Sequence, residues 1–120
     1  MLRRWMLAVL LVAAVPAPVL ALDGNGWLKQ PDGVRVAYVL GLVDAWAHVS
    51  ATVRDTQAQL PAYTPGEVEM FYVTVTRCLA GKPHRQTMAI VEKYMKDNPG
   101  KWHQQMADSV FAAIWTACKE

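Results

Sequence analysis

Apolar residues recur at three- and four-residue intervals over two stretches near the C-terminus, and a short polar run divides them. Met88, Val91 and Met95, with Ile90 and Tyr94 beside them, place one apolar stripe on a helix expected over residues 85–97. Trp102, Met106, Val110 and Ile114, widened by Ala107, Phe111, Trp115 and Cys118, form a second and broader stripe. Between them stands Lys96-Asp97-Asn98-Pro99-Gly100, in which Asn98 reads as an N-cap and Pro99 as a first helical residue whose missing N–H costs nothing. A second helix is therefore expected from Pro99 to Cys118. At about 1.5 Å per residue the arms of this hairpin would span roughly 19 and 30 Å. The only two cysteines, Cys78 and Cys118, fall at its outer ends. A short connection from Cys78 into the first arm would bring their sulfurs together, and closing such a loop would stabilise the fold by roughly 4 kcal/mol in the chain-entropy model.

Residues 34–54 have a different pattern. Val36, Tyr38, Val39, Leu42, Val43, Trp46 and Val49 leave almost no polar side before His48 and Ser50. A helix that is apolar nearly all round is normally buried, so this one is expected to be the central helix on which the hairpin packs. Gly41, in its middle, costs about 1 kcal/mol against alanine and is expected to mark a close helix crossing. Asp44 is read as a structural carboxylate hydrogen-bonded within the core, because an unpaired buried carboxylate is costly. Residues 23–33, rich in Gly, Asp, Asn and Pro, read as an N-terminal segment pinned by Trp27. Pro61 and Pro65 make residues 57–66 a linker. Residues 67–79 carry strand-forming Val73 to Thr76. Val68, Phe71, Tyr72, Val75 and Leu79 also fit a helical stripe, and no second strand candidate exists for pairing. The expected fold is a small all-α domain, residues 22–120, of four or five helices with a disulfide-closed C-terminal hairpin.

The first residues change the reading of charge and compartment. Arg3 and Arg4 precede an apolar run from Trp5 to Val15 that is too short to span a bilayer, and Val19 and Ala21 supply small residues before a cleavage point. A secretory signal peptide over residues 1–21 is expected, cleaved after Ala21. The formal charge of +2 resides wholly in Arg3 and Arg4 and leaves with the leader. A neutral mature chain argues against nucleic acid or an anionic membrane as a partner, since both require a basic face. In an oxidising compartment, two cysteines in so small a domain read as a structural disulfide.

Catalytic chemistry finds little footing in the chain. It has no His-Glu-x-x-His or Cys-x-x-Cys motif, no glycine-rich phosphate loop and no nucleophile elbow. His84 and His103 fall near the starts of the two antiparallel arms, hence at opposite ends of the hairpin, and His48 lies on another helix. With both cysteines in the bridge, no Cys-His pair remains. No enzymatic activity, metal or cofactor is expected. The tryptophans and methionines at helical spacing read as core.

Several segments together carry a resemblance. Gln86-Thr87-Met88-Ala89-Ile90-Val91-Glu92-Lys93-Tyr94-Met95, then Asn98-Pro99, then the alanine-rich stretch ending at Cys118, resemble the C-terminal half of the Tai/Rap immunity proteins of type VI secretion systems. Upstream, Tyr38-Val39-Leu40-Gly41-Leu42-Val43-Asp44-Ala45 is similar to that family's tyrosine, glycine and Asp-Ala pattern, and Asn25-Gly26 with Leu28 to its opening motif. The chain departs from the family in lacking a second cysteine pair near the N-terminal segment, and residues 79–83 follow the family's turn only loosely. The resemblance implies a periplasmic protein, often a homodimer, that binds a peptidoglycan-cleaving amidase effector and occludes its active site. It also marks Tyr38, Gly41, Asp44, Tyr94 and Pro99 as structural positions. The projecting surface is expected over residues 57–70, with Tyr63 as an anchor and Glu67 and Glu69 meeting donors at the mouth of a cleft. The alternative is an acid-stress chaperone of the HdeA type, also short, exported, helical and closed by one disulfide.

Overall fold

The computed structural model describes residues 21–119, so the expected leader lies outside the described residues except for Ala21. Among the described residues five α-helices follow one another: α1 (Gly24–Leu28), α2 (Asp32–Gln59), α3 (Glu67–Leu79), α4 (His84–Asp97) and α5 (Met106–Lys119), with a 3-10 turn at Pro99–Lys101. The all-α expectation holds, and the 67–79 stretch is a helix. Among the described residues the only extended pairing is a single bridge between Asp23 and Gln105.

Local chemistry explains where the helices begin and stop. The Asp23 carboxylate accepts from the Gly26 N–H at 2.7 Å and caps α1, an arrangement worth about 1 kcal/mol. Asp32 in the first turn of α2, and Glu67 and Glu69 in that of α3, place negative charge at the positive ends of their helices. Leu60 ends α2 outside the helical region, at φ −126° and ψ 82°, as suits a residue before Pro61. Between α3 and α4 the chain reverses through Gly81 at φ 77°, a left-handed conformation that favours glycine. At the end of α4, the Asn98 side-chain amide donates to the Tyr94 carbonyl at 2.9 Å and the Trp102 indole N–H to the Met95 carbonyl at 2.7 Å.

Those last contacts revise the hairpin. Asn98-Pro99 opens a 3-10 turn, not an α-helix, and α5 begins only at Met106. Both arms are therefore 14 residues long, and the second is not the longer one. The N-terminal segment causes the delay by occupying the place where the helix would have started. The Met106 N–H donates to the Leu22 carbonyl at 2.8 Å, and the N–H groups of Gly24 and Asn25 donate to the carbonyls of Gln104 and Trp102. Trp27, fully buried, joins this contact to the core.

Helices α2 and α3 pack mainly on each other, as do α4 and α5, so these four form two helical hairpins. The core fills their junction with Val39, Trp46, Val75, Leu79, Val91, Met95, Met106, Val110 and Ile114. An aromatic cluster seals it: Phe71 of α3 stacks on Phe111 of α5 with centroids 3.6 Å apart, and Trp46 of α2 meets Phe111 edge-on at 6.1 Å. The disulfide between Cys78 and Cys118 ties the last turn of α3 to the last turn of α5, with Cα atoms 5.8 Å apart. It points to an oxidising compartment.

Helix α2 corrects the largest expectation. It is the longest element at 28 residues, roughly 42 Å at about 1.5 Å per residue, but only Val39, Trp46, Ser50 and Val53 are buried. Over an 18-residue window its mean hydropathy is 1.4, so by length and composition alone it is apolar enough to cross a membrane, although 22% of that window is buried in the fold. It is not a helix enclosed on all sides. The helices that pack beside it, at 13 or 14 residues each, are too short and too few to surround it, so among the described residues its outer face stays open.

Candidate functional site

The turn between α2 and α3 concentrates unusual surface. Leu60, which caps α2, is 59% exposed, and Val68 and Met70 in the first turns of α3 are 67% and 42% exposed. Apolar side chains this open are the ones a partner can desolvate, each contributing about 1.5–3 kcal/mol if fully buried. The turn is organised from within. The Leu60 N–H donates to the Thr56 carbonyl at 2.8 Å and the Tyr63 N–H to the Leu60 carbonyl at 2.9 Å. The Tyr63 hydroxyl reaches the Glu69 carboxylate at 3.5 Å, the outer limit of a hydrogen bond. The same carboxylate folds over Gly66, where a Cβ would come within 2.5 Å of its Oε2.

Of the residues expected to meet a partner, the structure thus brings Tyr63 and Glu69 together but turns them inward on the loop. Tyr63 is half-buried and acts as a strut, not as a projecting anchor. Glu67 stays exposed on the outside of the first turn of α3. Periodicity does not single out the projecting apolar residues, because Val68 stands in register with the buried stripe of α3, which in the structure begins at Phe71. Their sequence signal was the cluster of Leu60, Val68 and Met70 beside Pro61 and Pro65, where solvated polar residues would be the norm.

Two further expectations are corrected. Asp44 is exposed and lies outside the core, since its position on α2 points to the open face. Gly41 is also exposed, and a Cβ there would meet nothing within 4 Å, so no helix crosses at it. The glycine that does admit a close approach is Gly24, where a Cβ would come within 2.7 Å of Met95 Cε and 2.9 Å of the Trp102 backbone. Tyr38 is half-buried against the start of α5; burial raises its phenol above the ordinary value, Asp108 adds to the effect, and a hydrogen bond with the Ala107 backbone opposes it. Tyr94 and Pro99 stand at the α4–α5 connection, Tyr94 half-buried and Pro99 opening the 3-10 turn.

No catalytic or metal arrangement emerges among the described residues. His48, His84 and His103 are all exposed, and no three His, Cys, Asp or Glu side chains converge as a metal site. Cavities lie among the described residues. One, of about 440 Å³, runs between α4 and α5 beside Tyr94 and Lys101. Another, about 400 Å³, lies where α1 and α2 meet α4, beside Arg35, whose guanidinium sits 5.1 Å from the Trp27 ring and pairs with Asp32. Comparison with known proteins adds nothing to this geometry: no protein-family model, no curated protein and no solved structure matches the chain.

Proposed function

We propose that this chain is a periplasmic immunity protein that binds a secreted peptidoglycan amidase of a type VI system and blocks its cleft with the α2–α3 turn. The observation that carries the reading is that turn: Leu60, Val68 and Met70 stand exposed around a loop braced by Tyr63 and Glu69. A cleft-blocking inhibitor needs a projecting apolar tip whose conformation is set before binding, because ordering a loose loop would consume binding energy. The rigid body behind it is provided by the aromatic cluster and the disulfide. The order and spacing of the Gln86 to Met95, Asn98-Pro99 and Cys118 elements add the resemblance to the Tai/Rap immunity family. Together with the expected leader, the disulfide favours the periplasm.

The test is binding to candidate amidases encoded beside this chain. A one-partner complex near neutral pH that abolishes peptidoglycan cleavage is the expected result. Loss of that complex on changing Leu60 or Val68 to Asp, with the melting temperature unchanged, would place the interface at the turn. An acid chaperone behaves differently: it is inert near neutrality and suppresses the aggregation of many clients near pH 2–3, when carboxylates protonate. Holdase activity of that kind without any neutral-pH partner would overturn the proposal.

A further inference from the structure

We infer that the groove between α4 and α5 is a binding site for the free C-terminal end of a peptide finishing in small apolar residues. At about 440 Å³ it lies within the range of small-ligand sites, roughly 300–1,000 Å³. Its floor is shallow and apolar because α5 presents Ala113 and Ala117 to Ile90 of α4, and side chains this small leave the two helices with an open furrow between them. Methyl-sized ligand groups fit such a floor, whereas a large aromatic ring would stand clear of it.

The wall is cationic. Lys101 reaches the groove from the 3-10 turn, with its ammonium 3.3 Å from the Tyr94 hydroxyl and 5.6 Å from the centre of that ring. Among the described residues no carboxylate pairs with it, whereas the neighbouring Lys93 is paired with Asp97. Nor is its charge needed at the C-terminus of α4, where lysines commonly serve, because the Tyr94 and Met95 carbonyls already accept from Asn98 and Trp102. Lys101 thus offers donors to an incoming carboxylate beside a phenolic hydroxyl that can also donate. Charge-assisted hydrogen bonds of this kind are the strong ones.

Asn98 and Thr116 on the rim favour a peptide over a simple fatty acid. An amide and a hydroxyl there can exchange hydrogen bonds with the ligand's last peptide group, for which an acyl chain has no counterpart. Capture of a terminal carboxylate with a pocket for the last side chain is a recurrent mode of peptide recognition. The groove shares no residue with the α2–α3 turn, so it would serve whether or not the protein blocks an amidase.

Isothermal titration of the oxidised protein with N-acetyl-Ala-Ala, its C-terminal amide and hexanoate tests the inference. Saturable binding of the free acid is expected, with the amide at least about tenfold weaker because the carboxylate contact is lost. Lys101→Met should weaken the free acid by a similar factor while leaving the melting temperature in place. Ala117→Met should abolish binding by filling the floor, even with Lys101 present. Absence of saturable binding by the free acid, an amide that binds as well as the acid, or a Lys101→Met protein that binds like the parent would each overturn the site. Hexanoate binding as tightly as the dipeptide would overturn its assignment to peptides.

Discussion

Gly24 and Gly41 show how differently one residue type can act within a chain. Gly41 lies in the open interior of α2, so Gly41→Ala should raise stability by up to about 1 kcal/mol through helix propensity alone. Gly24→Ala must force Met95 and the Trp102 backbone apart, and because backbone yields poorly a loss of about 1–3 kcal/mol is expected. Urea unfolding of the two variants would read both, and a reversed order would contradict this packing. Asp44 follows from the same exposure: Asp44→Ala should leave stability within about 0.5 kcal/mol of the parent. Ser109 is the opposite case, a buried hydroxyl with no hydrogen-bond partner, so Ser109→Ala is expected to stabilise by about 1 kcal/mol. None of these signs was legible in the sequence. A glycine or an aspartate within an apolar helix looks the same whether the facing space holds a neighbour or water.

At the scale of elements the legible parts are those with a one-sided stripe. Met88, Val91 and Met95 on α4, and Met106, Val110 and Ile114 on α5, are buried where periodicity put them, and the cysteines at the hairpin's outer ends are joined. The start of α5 was not legible, because residues 22–25 take up the backbone groups of residues 102–106 and no local pattern announces a partner so distant in sequence. Tyr38, where α2 meets α5, gives this junction a pH signature. Burial raises the phenol above its unfolded value of about 10, so the stability due to the neutral form is fully present below about pH 10 and is lost as pH climbs through the folded value. Tyr38→Phe should therefore unfold with a shallower alkaline decline than the parent, and equal slopes for the two proteins above pH 10 would refute the linkage.

At the scale of the whole fold, the decisive fact is that among the described residues three helices of 13 or 14 residues cannot enclose a helix the length of α2. Periodicity could not say so, since apolar side chains all round a helix are equally consistent with full burial and with an open face awaiting company. How much is covered depends on how many other helices exist, which is a property of the entire chain. The disulfide compensates for the modest core by fixing α3 to α5 at the end where no loop connects them. Reducing it should cost about 2–4 kcal/mol of stability and free α3 to shift on the aromatic cluster of Phe71 and Phe111. If the α2–α3 turn is a preset inhibitory tip, that loss should reach function through rigidity, since the cysteines are not in the turn. Reduced protein, or Cys78→Ala with Cys118→Ala, is then expected to bind its amidase more weakly while keeping its helix content at temperatures below the lowered midpoint. Binding titrations and far-ultraviolet circular dichroism on the same samples check this. Unchanged affinity in protein of proven lower stability would mean that Tyr63 and Glu69 set the turn without help from the body behind it.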